Sequence, residues 1–269
     1  MSGAEPSGSL PTDCVLEARG LRKEFRGFVA VSGVNLKIQR GSIHALIGPN
    51  GAGKTTVFNL LTRFLPLSGG EIRFESEDVT ALRPHQLAAR GLVRSFQISA
   101  VFPHLSVSDN IKLALQRPLL SPLRFWAGVP AEVTSEQKTL MLLEQMGLEN
   151  FARERAGDLS YGRKRALEIA TTLAADPKVM LLDEPTQGLG HEDVDRVTDL
   201  IRRAANGRTV VMVEHNMKMV EQVADSITVL RRGEVIAEGA YREIAENQEV
   251  VEAYLGSKRR GTHSPQGAH

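Results

Sequence analysis

Only one cysteine, Cys14, stands among the 269 residues. A disulfide within the chain is excluded, and so is a metal cluster held by several thiolates. A single tryptophan, Trp126, and a 5% aromatic content leave few large rings. Charge of one sign is lacking as well: 33 Lys+Arg against 32 Asp+Glu gives a net +1. So even a balance argues against a strongly basic nucleic-acid binder and against an acidic disordered chain. Apolar runs such as Val210-Val211-Met212-Val213 stop far short of the ~18–20 residues that span a bilayer. No basic start followed by an apolar stretch reads as a secretory signal. With 42% hydrophobic and 24% charged residues, the expectation is an ordinary soluble, cytoplasmic α/β protein.

Residues 1–14 and 257–269, rich in Gly, Ser and Pro, read as disordered tails around one folded unit spanning 15–256. The Lys258-Arg259-Arg260 run is too short to signal lipid contact and reads as solvated. Val15 to Ala18 and Val34 to Ile38 alternate as strands, with a turn at Arg26-Gly27. Ile43 to Ile47 is an apolar run before a glycine-rich turn, which predicts a buried strand. A helix over 55–64, a strand over 70–74 and a short helix at 80–90 with Pro84 near its start follow. Helical patterns occupy 106–117 and 132–147, on either side of the Pro-rich, aromatic stretch Leu119 to Pro130. Apolar strands return at 179–182, 210–213 and 227–230, separated by helices at 191–205 and 216–224. Strands alternating with helices predict a mostly parallel sheet with crossovers, an antiparallel β region at the start, and a helical lobe inserted at about 98–175.

The turn after residue 47 carries the chemistry. Gly48, Pro49, Asn50, Gly51, Ala52, Gly53, Lys54 and Thr55 fit the P-loop pattern G-x4-G-K-[ST], and Thr56 follows. The pattern sits between a predicted strand and a predicted helix, as its physics requires. Glycines let the backbone aim several N–H groups at phosphate oxygens, and the helix start adds its partial positive charge. Lys54 supplies an ammonium to the β- and γ-phosphates, and the Thr55 hydroxyl is placed for Mg²⁺. The run Val179-Met-Leu-Leu-Asp183-Glu184 predicts a second buried strand that ends in acids at the ligand edge of the sheet. Asp183 is expected to hold Mg²⁺ through a water. Glu184 is expected to accept a proton from an attacking water.

More specific residues now enter. Leu159-Ser160-Tyr161-Gly162 precedes the helical pattern Arg165 to Ala174, Phe96-Gln97 opens the helical region, and His215 follows strand 210–213. Over residues 15–256 the chain resembles the ATP-binding subunit of an ABC transporter. Tyr161, Lys54-Thr-Thr-Val-Phe58, Arg94-Ser-Phe-Gln97 and Glu252-Ala-Tyr-Leu-Gly256 resemble the uptake branch for branched-chain and other hydrophobic amino acids. The resemblance implies that Ser160, Tyr161 and Gly162 cap ATP held by an opposite subunit. It implies that Gln97 reaches Mg²⁺ and the attacking water, that His215 contacts the γ-phosphate, and that Phe25 stacks on adenine, with Phe28 as a nearby competitor. It further implies separate transmembrane permease subunits, a second ATP-binding subunit forming a homo- or heterodimer, an extracytoplasmic solute-binding protein, no nucleic-acid partner, and a peripheral place at the cytoplasmic face of the membrane. An ATPase powering lipopolysaccharide-type export, or a non-transport ABC ATPase, are the alternatives. Three positions depart from the common pattern: Tyr161 for a glycine, Arg163 for a glutamine and Gly190 for an aspartate. The Trp126 stretch is a candidate permease contact or a loop packed on its own lobe.

Overall fold

The computed structural model describes residues 13–95, 101–116 and 134–259. Gln97, the stretch from Leu119 to Pro130 with Trp126, and residues 1–12 and 260–269 of the two tails lie outside the described residues.

The chain opens on a long hairpin, β1 (Cys14–Phe25) and β2 (Phe28–Gln39), turning at Arg26-Gly27 as the sequence suggests. Next come β3 (Ile43–Ile47), α1 (Lys54–Leu61), β4 (Gly69–Phe74), β5 (Glu77–Asp78), α2 (Pro84–Ala89) and β6 (Leu92–Arg94). The helices α3 (Val107–Gln116), α4 (Ser135–Gln145) and α5 (Tyr161–Leu173) lead into β7 (Val179–Asp183). Then follow α6 (His191–Ala205), β8 (Thr209–Val213), α7 (Met217–Val223), β9 (Ser226–Arg231), β10 (Glu234–Gly239), α8 (Tyr241–Glu246) and α9 (Gln248–Arg259). The backbone of α9 thus runs three residues past Gly256, where the sequence suggests a tail.

Two sheets form. One is antiparallel with order β2-β1-β4-β5, and the other is six-stranded with order β10-β9-β3-β8-β7-β6. Strands β9, β3, β8, β7 and β6 run parallel, while β10 pairs antiparallel at the edge. All residues of β3, β7 and β8 are buried, which explains why their sequences are apolar runs rather than alternations. Alternate residues serve different layers. Ala45, Ile47, Met180, Leu182 and Met212 join the core beneath α3 to α7. Leu46, Val179, Leu181, Val211 and Val213 join the core shared with α1 and the antiparallel sheet. Helix α6 shows the matching helical period, burying Val194, Val197, Leu200, Ile201 and Ala204. Its first turn carries Glu192 and Asp193 and its last Arg202 and Arg203, each sign at the helix end whose partial charge it complements.

A histidine lies buried inside the large sheet. His44 is 1% exposed, with Nδ1 2.7 Å from Ser226 Oγ and Nε2 2.9 Å from Thr228 Oγ1. Burial pushes its pKa down from 6.5 to about 4. The unfolded chain therefore binds more protons than the folded one between those values. Stability from this neutral histidine is complete above pH ~6.5 and is lost as the pH falls toward ~4, by about 3 kcal/mol. Against a His44→Gln variant, the wild-type melting temperature should fall more steeply over that window. Parallel pH profiles would show that His44 does not contribute.

Candidate functional site

The C-terminal ends of β3, β8, β7 and β6 meet at one edge of the large sheet. After Ile47 the chain curls through Gly48–Gly53 into α1. Gly48 has no room for a side chain, since a Cβ there would stand 2.1 Å from the Leu230 carbonyl oxygen. The first ladder bond of α1 runs from Val57 N–H to Gly53 O at 2.9 Å. The N–H groups of Lys54, Thr55 and Thr56 therefore precede the ladder and give the helix start its positive character. Lys54 is 5% exposed; its Nζ donates to Gly48 O at 2.7 Å and Pro49 O at 3.1 Å. Burial pushes this ammonium below the ordinary lysine value, while Glu184 and Asp183 pull it back up.

Strand β7 delivers the acids. Asp183 is buried, and its Oδ2 accepts from Arg94 Nη2 at 2.5 Å. Glu184 has φ 46°, a left-handed conformation that costs a non-glycine residue about 1–3 kcal/mol. Three contacts hold it there: its N–H donates to Val213 O at 2.9 Å, its carbonyl oxygen accepts from Gln187 N–H at 3.0 Å, and its Oε1 lies 2.6 Å from His215 Nε2. Behind them stands Glu214, 2% exposed. Its Oε1 accepts from Thr186 N–H at 2.8 Å and Thr186 Oγ1 at 2.6 Å, and its Oε2 from His215 N–H at 2.7 Å and Asn216 N–H at 3.0 Å. Four donors on one carboxylate lock the loops after β7 and β8 together and so fix Glu184 against His215.

The turn between β9 and β10 closes the loop from the other side. Gly233 N–H donates to Ala52 O, and Ser32 N–H to Gly233 O, both at 2.8 Å. A Cβ on Gly233 would approach Ala30 O to 2.4 Å. The resulting cavity of about 580 Å³ is lined by Asn50 through Thr56, by Glu184 and His215, and by Phe28 and Arg232. A larger hollow of about 830 Å³, near Gln145, Arg202 and Asp225, contains none of these residues.

Gly48 to Thr56, Asp183, Glu184 and His215 thus lie together at this edge of the large sheet. Phe25 is 43% exposed and Phe28 70%. They pair across the hairpin turn, and Phe28 reaches the cavity wall while Lys23 Nζ lies 5.0 Å from the Phe25 ring centroid. Ser160, Tyr161 and Gly162 do not line the cavity. Ser160 is the N-cap of α5, yet its hydroxyl makes no capping bond. Tyr161 donates its hydroxyl to Gln187 O at 3.1 Å, and a Cβ on Gly162 would meet Asp193 Oδ1 at 2.6 Å. The Arg163 guanidinium lies 3.8 Å from the Phe151 ring centroid. Nothing lies within 4 Å of a Cβ built on Gly190, so sterics do not explain the missing aspartate. Arg94, Glu214 and Arg232 carry no role in the sequence reading. Arg94 enters only within Arg94-Ser-Phe-Gln97, and no local pattern marks the other two.

A central parallel strand feeding a glycine loop into a helix start, beside a buried lysine and two carboxylates, defines a P-loop nucleotide-binding protein. Comparison narrows the class. The ABC transporter family matches residues 31–187, and the branched-chain amino acid ATP-binding cassette transporter family matches residues 234–259. The high-affinity branched-chain amino acid transport ATP-binding protein BraF of Pseudomonas aeruginosa is 40% identical over 251 residues, covering 90% of this chain and 98% of that protein. The protein of the same description named LivG, from Escherichia coli K12, is 36% identical over 251 residues, with coverage of 90% and 98%. Among solved structures, the ADP conformation of an ATP-binding cassette of an ABC transporter superposes with a TM-score of 0.79 at 30% identity, covering 90% of this chain and 99% of the other. A dimeric cassette bound to ADP and Pi in a post-hydrolysis state gives 0.71 at 25% identity, with coverage of 84% and 99%. The chain belongs to the ATP-binding proteins of ABC transporters, in the branch of BraF and LivG.

Proposed function

We propose that this chain hydrolyses ATP to drive uptake of branched-chain or related hydrophobic amino acids through separate membrane-spanning permeases. The observation that carries the chemistry is one cavity in which Lys54, the free N–H groups of the α1 start, Glu184 and His215 face the same space. A triphosphate laid along Gly48–Thr56 meets those N–H groups, and the Lys54 ammonium transfers from the Gly48 and Pro49 carbonyls to its oxygens. Water attacks the γ-phosphorus, the bond to the β–γ bridging oxygen breaks, and the water proton passes to Glu184. His215, 2.6 Å from Glu184, keeps that carboxylate aimed and reaches toward the γ-phosphate.

Hydroxyl and carboxylate oxygens beside phosphate are the hard donors that suit Mg²⁺. Thr55 on the cavity wall and Asp183 behind it fit that ion, and by resemblance Gln97 joins them. Bound with the nucleotide, Mg²⁺ supplies neutralisation of the β- and γ-oxygens.

The uncommitted Ser160 hydroxyl, outside the chain's own cavity, supports a second subunit whose nucleotide it caps. That subunit is another copy or a non-identical ATPase. No described helix is long and apolar enough to cross a membrane. The names of BraF and LivG support a transporter setting; this chain then sits at the cytoplasmic face of the membrane, and an extracytoplasmic solute-binding protein delivers the solute to the permeases from the opposite side. In proteoliposomes holding the permeases and the second ATPase, with the solute-binding protein added, labelled leucine should accumulate only with ATP and the wild-type chain. Equal accumulation with Lys54→Ala would overturn the reading.

Phe25 is the proposed adenine platform. Stacking on a ring contributes about 1–3 kcal/mol, so Phe25→Ala should weaken ATP binding about tenfold or more and Phe25→Trp should keep it. If only Phe28→Ala shows that loss in calorimetry, the base stacks on Phe28.

A further inference from the structure

Arg94 brings a positive charge to the nucleotide site from outside the P-loop. It ends β6, the edge strand, and its side chain is 11% exposed against 1% for Asp183. Nη2 donates to Asp183 Oδ2 and Nη1 to Asn59 Oδ1, each at 2.5 Å. Asn59 lies on α1, two turns or fewer from the phosphate loop. The guanidinium carbon lies 5.4 Å from the Phe58 ring centroid and 5.7 Å from that of Phe64. One planar group thus joins the P-loop helix, the edge strand and the strand that carries Asp183. A lysine has no fork to span Asp183 and Asn59 together.

A buried ion pair is by itself weak evidence for anything but architecture. Here its place says more. Asp183 precedes Glu184 in sequence, and both carboxylates lie within Coulombic reach of Lys54. The Arg94 charge therefore belongs to the same electrostatic neighbourhood as a bound triphosphate. A bare carboxylate at the Asp183 position repels that anion, and with little water to screen it the repulsion is large.

We propose that Arg94 is a positioning residue of the nucleotide site, the resident counter-cation that offsets Asp183 when no divalent cation does so. The proposal rests on the reading of this cavity as an ATP site. Removing the guanidinium exposes the Asp183 charge. Nucleotide without metal then binds more weakly, and a divalent cation arriving with nucleotide is drawn more strongly. Both changes raise one quantity, the ratio of nucleotide Kd without Mg²⁺ to that with Mg²⁺.

The test is calorimetric titration of the full chain with a non-hydrolysable ATP analogue, in EDTA and in Mg²⁺. Arg94→Met should raise the ratio about tenfold or more. Arg94→Lys keeps the charge and should hold the ratio within about twofold of wild type, although the lost fork slows turnover. Should Arg94→Met fail to fold, Arg94→Met/Asp183→Asn removes both charges at once, and its metal-free affinity should match wild type within about twofold. A ratio unchanged in Arg94→Met, with both affinities shifted in parallel, makes Arg94 a scaffold only and overturns the proposal. A rise as large in Arg94→Lys, or a double variant with metal-free affinity as poor as lost architecture would give, overturns it too. A wild-type chain that binds no analogue in either buffer overturns the nucleotide reading itself.

Discussion

Glu184→Gln should bind ATP and scarcely cleave it. The substitution keeps the size of the side chain and its contact to His215, and the backbone at φ 46° is held by Val213 whatever the side chain. What disappears is the charge and the proton acceptor. Turnover should fall by about 10²–10⁴, and the γ-phosphate should meet less repulsion. Contacts that exist only with the γ-phosphate present then persist, because hydrolysis no longer removes them. The variant should elute as a dimer from size exclusion with ATP and as a monomer with ADP. Dimeric relatives of this fold exist, one of them bound to ADP and Pi. A variant that stays monomeric under saturating ATP contradicts the homodimer and points to an obligate non-identical partner, whose addition should restore the trapped pair. Wild-type turnover in the variant removes Glu184 from the mechanism.

Lys54→Ala should abolish hydrolysis for a different reason. The ammonium is the buried positive charge at the phosphate loop, and losing one such donor to developing phosphate charge costs on the order of 10²–10³ in rate or more. The structure adds a second effect. Lys54 also satisfies the Gly48 and Pro49 carbonyls, so its removal loosens the loop as well, by about 1 kcal/mol. The melting temperature should drop by a few degrees at most, while ATPase activity vanishes and nucleotide binding weakens. Turnover at the wild-type rate would remove the P-loop assignment. Complete unfolding would mean that Lys54 is chiefly a structural residue.

Local patterns were legible and cross-strand ones were not. Strand β3, the strands ending at Asp183 and Val213, and helix α6 were readable because each is an apolar run or period bounded by glycine or polar turns. The opening hairpin was underestimated. Its strands are 12 residues each, but register shifts around Ala18–Leu21 and beyond interrupt the alternation that marks a strand. Three-residue β6 and half-exposed β10 are too short or too mixed to show a period. The glycine loop is legible because its residues are contiguous. The partnership of Arg94 with Asp183 spans 89 residues and that of Thr186 with Glu214 spans 28, so no window along the chain contains them. Tyr161 was expected only to face a partner's nucleotide, and its bond to Gln187 O required the fold.

The strand order carries a consequence for biosynthesis. β3 pairs with β8 and β9 on its two sides, as in Ile43↔Val210 and His44↔Ser226, and the glycine loop is clamped by Gly233. A ribosome adding about 5–20 residues per second takes roughly ten to forty seconds to make those partners after β3. In that interval the nascent chain can close its antiparallel sheet, since Leu16 already has Phe74. The central strand β3, every residue of which is buried in the finished fold, however, has both edges bare. ATP cannot stabilise such an intermediate, because the cradle that binds it is completed only when the turn after β9 leaves the ribosome. Folding of this cassette therefore waits on its C-terminal third, and a chain truncated before that turn should be a client for chaperones rather than a smaller ATPase.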